Sequence, residues 1–173
     1  MNYFKLFNLT NSYTIDLEKL NKYYKKLQLK YHPDRCINQT DDEKRETLHK
    51  STIINTGYQV LVHPLYRAEH ILTLNNVNIN NKANNILNKN FLKEQMDWWE
   101  ELKILEHSLD IKKKISIYYS KLTKITQQYY NILEIQLNNK KWTLAMNTVI
   151  KLRFFNKLIQ YLDKLEEKSL YFR

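Results

Sequence analysis

The heptapeptide KYHPDRC, at residues 30–36, contains the side chains best suited to chemistry in this chain. His32, Asp34 and Cys36 are close enough in sequence to be considered as a base, an orienting carboxylate and a nucleophile. In a catalytic group the carboxylate must orient the imidazole, but Pro33 fixes the backbone between His32 and Asp34. The motif therefore favours a rigid loop that presents these residues to a partner.

Other catalytic or metal-binding groups are weaker candidates. The remaining histidines lack the spacing of metal ligands, and a single cysteine allows neither a CxxC metal knuckle nor an internal disulfide. One glycine in 173 residues excludes a glycine-rich phosphate loop. We expect no catalysis, no metal and no cofactor, and place a hydrolase built on His32 and Cys36 last among the alternatives.

The composition predicts an all-α protein. A hydrophobic content of 43% with 27% charged residues is typical of a globular chain, and one glycine with two prolines supplies few turns for a sheet. The sequence has no apolar run of about 18 residues that could span a membrane. Its N-terminus lacks the pattern of a secretory signal, so we expect a cytoplasmic protein.

The net charge of +10 raises the alternative of a basic, all-helical nucleic-acid-binding protein. Asparagine, lysine, isoleucine and tyrosine are abundant throughout, as expected from an AT-biased genome. Charge of that origin does not require a binding site, so it favours this alternative only weakly.

The segment before the heptapeptide has the pattern of an amphipathic helix over 16–31, with Asp16 as the expected N-cap. Its apolar face comprises Leu17, Leu20, Tyr24, Leu27 and Tyr31. Its opposite face, here called the basic face, comprises Lys19, Lys22, Lys25, Lys26 and Lys30. The helix should end at the heptapeptide, since the residue before a proline disfavours the α conformation.

A second helix is predicted after the heptapeptide, antiparallel to the first. Thr40 and Glu43 fit a capping box, and the helix should cover 41–62. We expect its inward residues to be Leu48, Ile54, Tyr58 and Leu61. Gly57 inside it indicates close packing of a neighbouring helix. Short helices are expected at YFKLF near the N-terminus and from Pro64 onwards.

Residues 74–90 are more than half asparagine, which favours a linker. Beyond it, hydrophobic periodicity predicts three long helices at 89–106, 110–137 and 141–168, which should form a three-helix bundle. The predicted organisation is an N-terminal domain at 1–74, a linker at 75–88 and the bundle at 89–173.

The first bundle helix has more apolar surface than its core face requires. The extra residues, here called the second stripe, are Leu92, Met96 and Trp99. Acidic residues lie near them: Asp97, Glu100 and Glu101. Phe154 and Leu158 of the last helix could extend the stripe. A charged rim around apolar residues indicates a docking surface; equally, Leu92 and Met96 could complete the bundle core or pack on the first domain.

A basic helix, then His-Pro-Asp on a loop, then an antiparallel helix resembles the J domain of DnaJ-type co-chaperones. Six segments occur in the order found in the HscB family, the J-type co-chaperones of bacterial iron–sulfur cluster assembly. They are YFKLF, YHPDR, HPLYRAEHIL, FLKEQM, TVIKLRFFNKL and LEEK. The resemblance covers essentially the whole chain.

This resemblance implies that the N-terminal domain engages HscA, a DnaK-class ATPase chaperone, and stimulates its ATP hydrolysis. The implied chaperone-binding residues are His32, Pro33, Asp34, Lys22, Lys25, Lys26, Lys30 and Arg35. Asp34 can accept a charge-assisted hydrogen bond, and the lysines would speed encounter with an acidic groove.

The resemblance also implies that the bundle binds the cluster scaffold IscU and delivers it to the chaperone. The family's scaffold-contacting patch falls on Leu92, Met96, Asp97, Glu100 and Phe154, and Trp99 of the second stripe completes the predicted set. The chain departs from the family at Lys93, where an apolar residue is expected, and at Ile104, where an acid is expected. The apolar surface of this helix is also compatible with weak self-association when the scaffold is absent.

Overall fold

The computed structural model describes residues 1–32, 40–79, 89–108 and 110–171, and the regular structure within these ranges is helical. The helices are α1 (Tyr3–Leu6), α2 (Leu17–Lys30), α3 (Asp41–Val62), α4 (Pro64–Leu74), α5 (Lys89–Glu106), α6 (Ile111–Asn138) and α7 (Trp142–Tyr171). The predicted all-α class is confirmed, and α2, α3, α5, α6 and α7 begin and end close to their predicted bounds.

The chain divides into two compact units, Met1–Asn76 and Val77–Arg173. The first contains the antiparallel pair α2 and α3 with α1 and α4, and the second contains the bundle α5 to α7. Residues 80–88 of the predicted linker lie outside the described part of the chain. The three-part division at 1–74, 75–88 and 89–173 stays a prediction.

In the core of the first unit, α1 packs against α3. Its fully buried side chains include Phe4, Phe7, Leu20, Leu61 and Leu72. Gly57 makes the close approach possible, because a Cβ atom there would lie 2.7 Å from Cδ1 of Tyr3. The predicted close packing at the glycine is therefore confirmed.

Leu48 does not share that core, and its predicted inward orientation is wrong. Its side chain is 59% exposed. Leu48 precedes Ile54 by six residues, which is a rotation of about 600°, or 240° beyond a full turn. The two side chains therefore point in different directions from α3.

Arg67 on α4 is buried, and its hydrogen bonds connect α4 to the end of α3 and to the chain before α2. Its Nε donates to the Leu61 carbonyl at 2.7 Å, and its Nη1 donates to the Tyr13 carbonyl at 2.8 Å. Nη2 donates to the carbonyl of Val62, at 3.3 Å. The guanidinium thus satisfies carbonyls at the end of α3 and in the chain before α2, and burial lowers its pKa.

The bundle core is formed by one face of each long helix. Its buried residues include Phe91, Leu102, Leu105, Ile115, Leu122, Phe155, Leu162 and Leu165. Lys121 of α6 contacts α5, since its Nζ lies 2.9 Å from Glu101 Oε2 and 4.2 Å from the centroid of the Trp98 ring.

Across the described ranges, no helix is both long and apolar enough to cross a membrane.

Candidate functional site

The basic face is exposed along the whole of α2. The helix begins as predicted, with the Asp16 side chain accepting from the Lys19 N–H at 2.9 Å. Leu20 is fully buried and anchors the inner side of the helix. The outer side carries Lys22, Lys25, Lys26 and Lys30, all exposed to solvent. This arrangement can attract an acidic surface over long range.

Leu29 also lies on this outer side, and sequence reasoning missed it. Its side chain is exposed. It follows Lys22, Lys25 and Lys26 by seven, four and three residues, so it shares their face of the helix. The same helical spacing that located the lysines would have placed this leucine among them.

Polar and aromatic contacts hold α2 against α3. The rings of Tyr24 and Tyr58 stack with their centroids 3.9 Å apart. The Tyr58 hydroxyl donates to Oδ1 of Asn21 at 2.8 Å, and the Tyr24 hydroxyl donates to Oδ1 of Asn55 at 3.1 Å. These directional contacts fix how far the two helices are offset along their axes, and so fix where the intervening loop begins and ends.

Both ends of the loop that contains the heptapeptide are fixed by helix termini. Tyr31 is the C-cap of α2, and its N–H donates to the Leu27 carbonyl at 3.0 Å. At the other end Thr40 and Glu43 form the predicted capping box, with the Thr40 N–H donating to Glu43 Oε2 at 2.9 Å. His32 is exposed directly after Tyr31.

The rest of the heptapeptide lies outside the described residues. Pro33, Asp34 and Arg35 fall there, as does Cys36. Their predicted roles stay predictions. The remaining chaperone-binding residues that were predicted, the four lysines and His32, all lie on the surface.

The second stripe is a surface feature of α5. Leu92 is 45% exposed and Met96 is 71% exposed, so neither completes the bundle core. Asp97 and Glu100 are exposed beside them. Trp99 is half-buried, with its ring edge-to-face against Tyr161 at a centroid distance of 5.4 Å. The stripe therefore presents apolar atoms next to carboxylates, as a docking surface does.

Phe154 and Leu158 do not extend this exposed surface, and that expectation is wrong. Leu158 is fully buried and Phe154 is 7% exposed. The Phe154 ring packs edge-to-face on Phe91 at a centroid distance of 5.8 Å. Because α7 packs against both α5 and α6, its buried face is wider than one stripe. The predicted contact of Phe154 with the scaffold stays a prediction.

The two positions that depart from the family pattern are both on the surface of α5. Lys93 and Ile104 are exposed. Lys93, Asp97, Glu100 and Ile104 follow one another at three- or four-residue spacing, so they form one flank of the second stripe. This flank combines a cation, two acids and an apolar side chain.

The core face of α5 is held firmly, which fixes the direction of the second stripe. The Tyr118 hydroxyl donates to the Trp98 carbonyl at 3.1 Å. Burial, with the nearby Glu101 carboxylate as a smaller cause, raises the pKa of Tyr118 far above its ordinary value. The hydroxyl therefore stays protonated and remains a donor at physiological pH.

Within the described ranges, no three His, Cys, Asp or Glu side chains are grouped as a metal site would require.

Sequence comparison identifies the family to which these surfaces belong. Residues 87–163 match the family model for the HSCB C-terminal oligomerisation domain. The chain is 34% identical over 168 residues to the co-chaperone protein HscB of Proteus mirabilis, covering 97% of each sequence. The chain belongs to the HscB family of co-chaperones.

Solved structures of the HscB family have the same fold. HscB from Vibrio cholerae aligns with a TM-score of 0.85 at 29% identity, covering 97% of this chain and 99% of the other. Human HscB aligns with a TM-score of 0.86 at 23% identity, covering 96% of this chain and 82% of the other. The family predicted from the sequence is thus confirmed, together with a J-type helix pair followed by a helical bundle.

Proposed function

We propose that this protein is a co-chaperone in the maturation of iron–sulfur proteins. It binds the scaffold IscU, delivers it to the DnaK-class chaperone HscA, and stimulates the ATPase activity of that chaperone. It catalyses no reaction itself and acts in the cytoplasm. The observation that carries this proposal is the exposed second stripe with its acidic rim. The chain that bears it belongs to a co-chaperone family, and its N-terminal unit exposes the basic face and His32.

The N-terminal unit is proposed to act on the chaperone. The basic face brings the helix pair to an acidic groove, an attraction that weakens as salt rises. His32, Pro33 and Asp34 then act as the trigger, with Asp34 accepting a charge-assisted hydrogen bond. Lys22, Lys25, Lys26, Lys30 and Arg35 are the proposed docking cations.

The bundle is proposed to hold the scaffold. Leu92 and Met96 lose exposed apolar surface on binding, which stabilises the complex. Asp97 and Glu100 select a basic partner surface. The half-buried ring of Trp99 adds apolar contact at the edge of the second stripe. In the absence of scaffold, the same apolar surface supports weak self-association.

Steady-state ATP turnover by the chaperone tests the proposal. The assay contains the chaperone, the scaffold, and either this protein or its His32→Gln variant. We expect the wild type to stimulate turnover and the variant to lose that stimulation while still binding the scaffold. Equal turnover with and without the wild type would refute the proposed activation.

A further inference from the structure

An aromatic ring lies beside two lysines where α2 ends and the loop begins. Tyr31 is half-buried at the C-terminus of α2. Nζ of Lys30 lies 5.2 Å from the Tyr31 ring centroid, and Nζ of Lys50 on α3 lies 5.4 Å from it. Both distances are within the reach of a cation–π interaction, which extends to about 6 Å.

This contact continues the row of pairs described above. Asn21 pairs with Tyr58, and Tyr24 pairs with Asn55. Tyr31 follows Tyr24 by seven residues along α2 while Lys50 precedes Asn55 by five along α3, as an antiparallel pair requires. The Tyr31–Lys50 pair is therefore placed at the loop end of the interface, next to His32.

The chain leaves α2 at Tyr31. Its backbone, at φ −115° and ψ 27°, is no longer helical although its N–H still donates to Leu27. When the ring is held, the side-chain torsions and the backbone to which they connect are restricted. Because His32 follows directly in the chain, the position of its backbone is restricted as well.

Lys50 is itself held in place by a neighbour on α3. Its Nζ lies 2.6 Å from Oε1 of Glu46. The hydrogen bond between them raises the pKa of Lys50 and lowers the pKa of Glu46. Lys50 therefore keeps its charge, and that charge is engaged by Glu46 and the Tyr31 ring.

We propose that Lys50, acting through the Tyr31 ring, is a positioning residue for His32 in activation of the chaperone. This inference rests on the proposed function. The lysines of the basic face would bind the partner directly. Lys50 instead restricts the position of His32 before the partner binds. Its loss should therefore lower the maximal stimulation of ATP turnover and leave docking affinity intact.

The principal test compares Lys50→Met with Lys44→Met. The two lysines are matched, since both lie on α3, both pair with an acid, and their side chains are 43% and 47% exposed. We expect Lys50→Met to lower maximal stimulation about two- to fivefold, as loss of an exposed cation–π contact allows. Its half-saturating concentration should stay at the wild-type value, and Lys44→Met should change neither quantity.

Conservative variants separate the ring contact from a general structural role. Lys50→Arg and Tyr31→Phe each keep a cation beside a ring and should retain wild-type stimulation. Tyr31→Leu should lower it, and adding Lys50→Met to Tyr31→Leu should cause no further loss, because the two changes remove one shared contact. Additive losses in the double variant would refute the coupling.

Two results for Lys50→Met would overturn the inference. One is wild-type stimulation in every respect; the other is an increased half-saturating concentration with full maximal stimulation, which would make Lys50 a docking cation. Thermal unfolding followed by circular dichroism shows that each variant is folded. If the wild type itself does not stimulate, the proposed function fails, and NMR of His32 decides the positioning: its resonances should move in Lys50→Met and stay fixed in Lys44→Met, and unmoved resonances in both would refute it.

Discussion

At the scale of single residues, exposure separates the side chains that can meet a partner from those that build the fold. Met96 and Phe154 illustrate this difference, since one is 71% exposed and the other 7% exposed. Both were predicted to contact the scaffold. Of the two, only Met96 presents most of its surface to solvent, so its truncation should change binding with little effect on folding.

The first prediction concerns Met96→Ala. We expect this change to weaken scaffold binding about tenfold, because the truncated side chain buries less apolar surface in the complex. Isothermal titration calorimetry with the scaffold measures the loss. Ile135→Ala is the matched control, since Ile135 is 60% exposed on α6, away from the second stripe. Equal affinities of the Met96 and Ile135 variants would contradict the assigned surface.

At the scale of helices and their contacts, local signals located the elements well. Asp16 and the Thr40–Glu43 capping box lie next to the backbone they cap, so the sequence alone indicated where α2 and α3 begin. Arg67 and the Tyr31–Lys50 pair had no such signal. Tyr13 is distant in sequence from Arg67, as Lys50 is from Tyr31, and the members of each pair become neighbours only when helices pack in a particular offset. The width of the buried face of α7 was likewise set by two partner helices.

Gly57→Ala tests the approach of α1 to α3. A Cβ atom would lie 2.7 Å from Tyr3 Cδ1 and 3.1 Å from Phe7 Cε2. Overpacking costs about 1–3 kcal/mol and exceeds the gain of about 1 kcal/mol in helix propensity, so we expect a net destabilisation of about 1 kcal/mol. Urea unfolding followed by circular dichroism measures it. Thr56→Ala on the exposed side of α3 should be neutral or slightly stabilising; a stabilising Gly57→Ala would show that α1 yields without cost.

The pH dependence of the first unit should depend on His70. Its Nε2 accepts from the Tyr3 N–H at 3.2 Å, and burial, with the N-terminal ammonium as a smaller cause, lowers the pKa of His70. Below its ordinary pKa of about 6.5 the unfolded chain binds the proton more readily, so stability is lost as pH falls.

Urea unfolding between about pH 7.5 and pH 5.5 measures this loss. In His70→Gln the amide oxygen can accept from Tyr3 at every pH, so the dependence on pH should become shallower. An unchanged dependence in the variant would assign it to other groups.

At the scale of the whole molecule, the two helices that carry the candidate docking surfaces differ in the sign of their charge. Helix α2 carries five lysines and one glutamate, whereas α5 carries three lysines and five carboxylates. The net charge of +10 thus includes a basic helix in one unit and an acidic helix in the other. Opposite charges on α2 and α5 are what two protein partners of opposite charge would require, whereas the nucleic-acid alternative requires the cations of several helices to share one face. A gel shift at two salt concentrations tests that alternative, because nucleic-acid binding would fall steeply as salt rises.

Separate cores in the two units predict separate responses to mutation. All three tryptophans, Trp98, Trp99 and Trp142, lie in the second unit, so their fluorescence reports its unfolding, whereas circular dichroism reports both. Leu61 and Leu122 are fully buried, one in each unit, and form a matched pair. Leu→Ala at such positions costs about 2–5 kcal/mol.

We therefore expect Leu122→Ala to lower the urea midpoint of the fluorescence transition. Leu61→Ala should leave that midpoint unchanged and shift only part of the circular dichroism transition, because the helices it destabilises contain no tryptophan. If Leu61→Ala lowered the fluorescence midpoint as far as Leu122→Ala does, the two units would unfold as one cooperative body. Independent transitions would instead mean that loss of stability in the first unit, proposed to activate the chaperone, leaves the second stripe of α5 on a folded bundle.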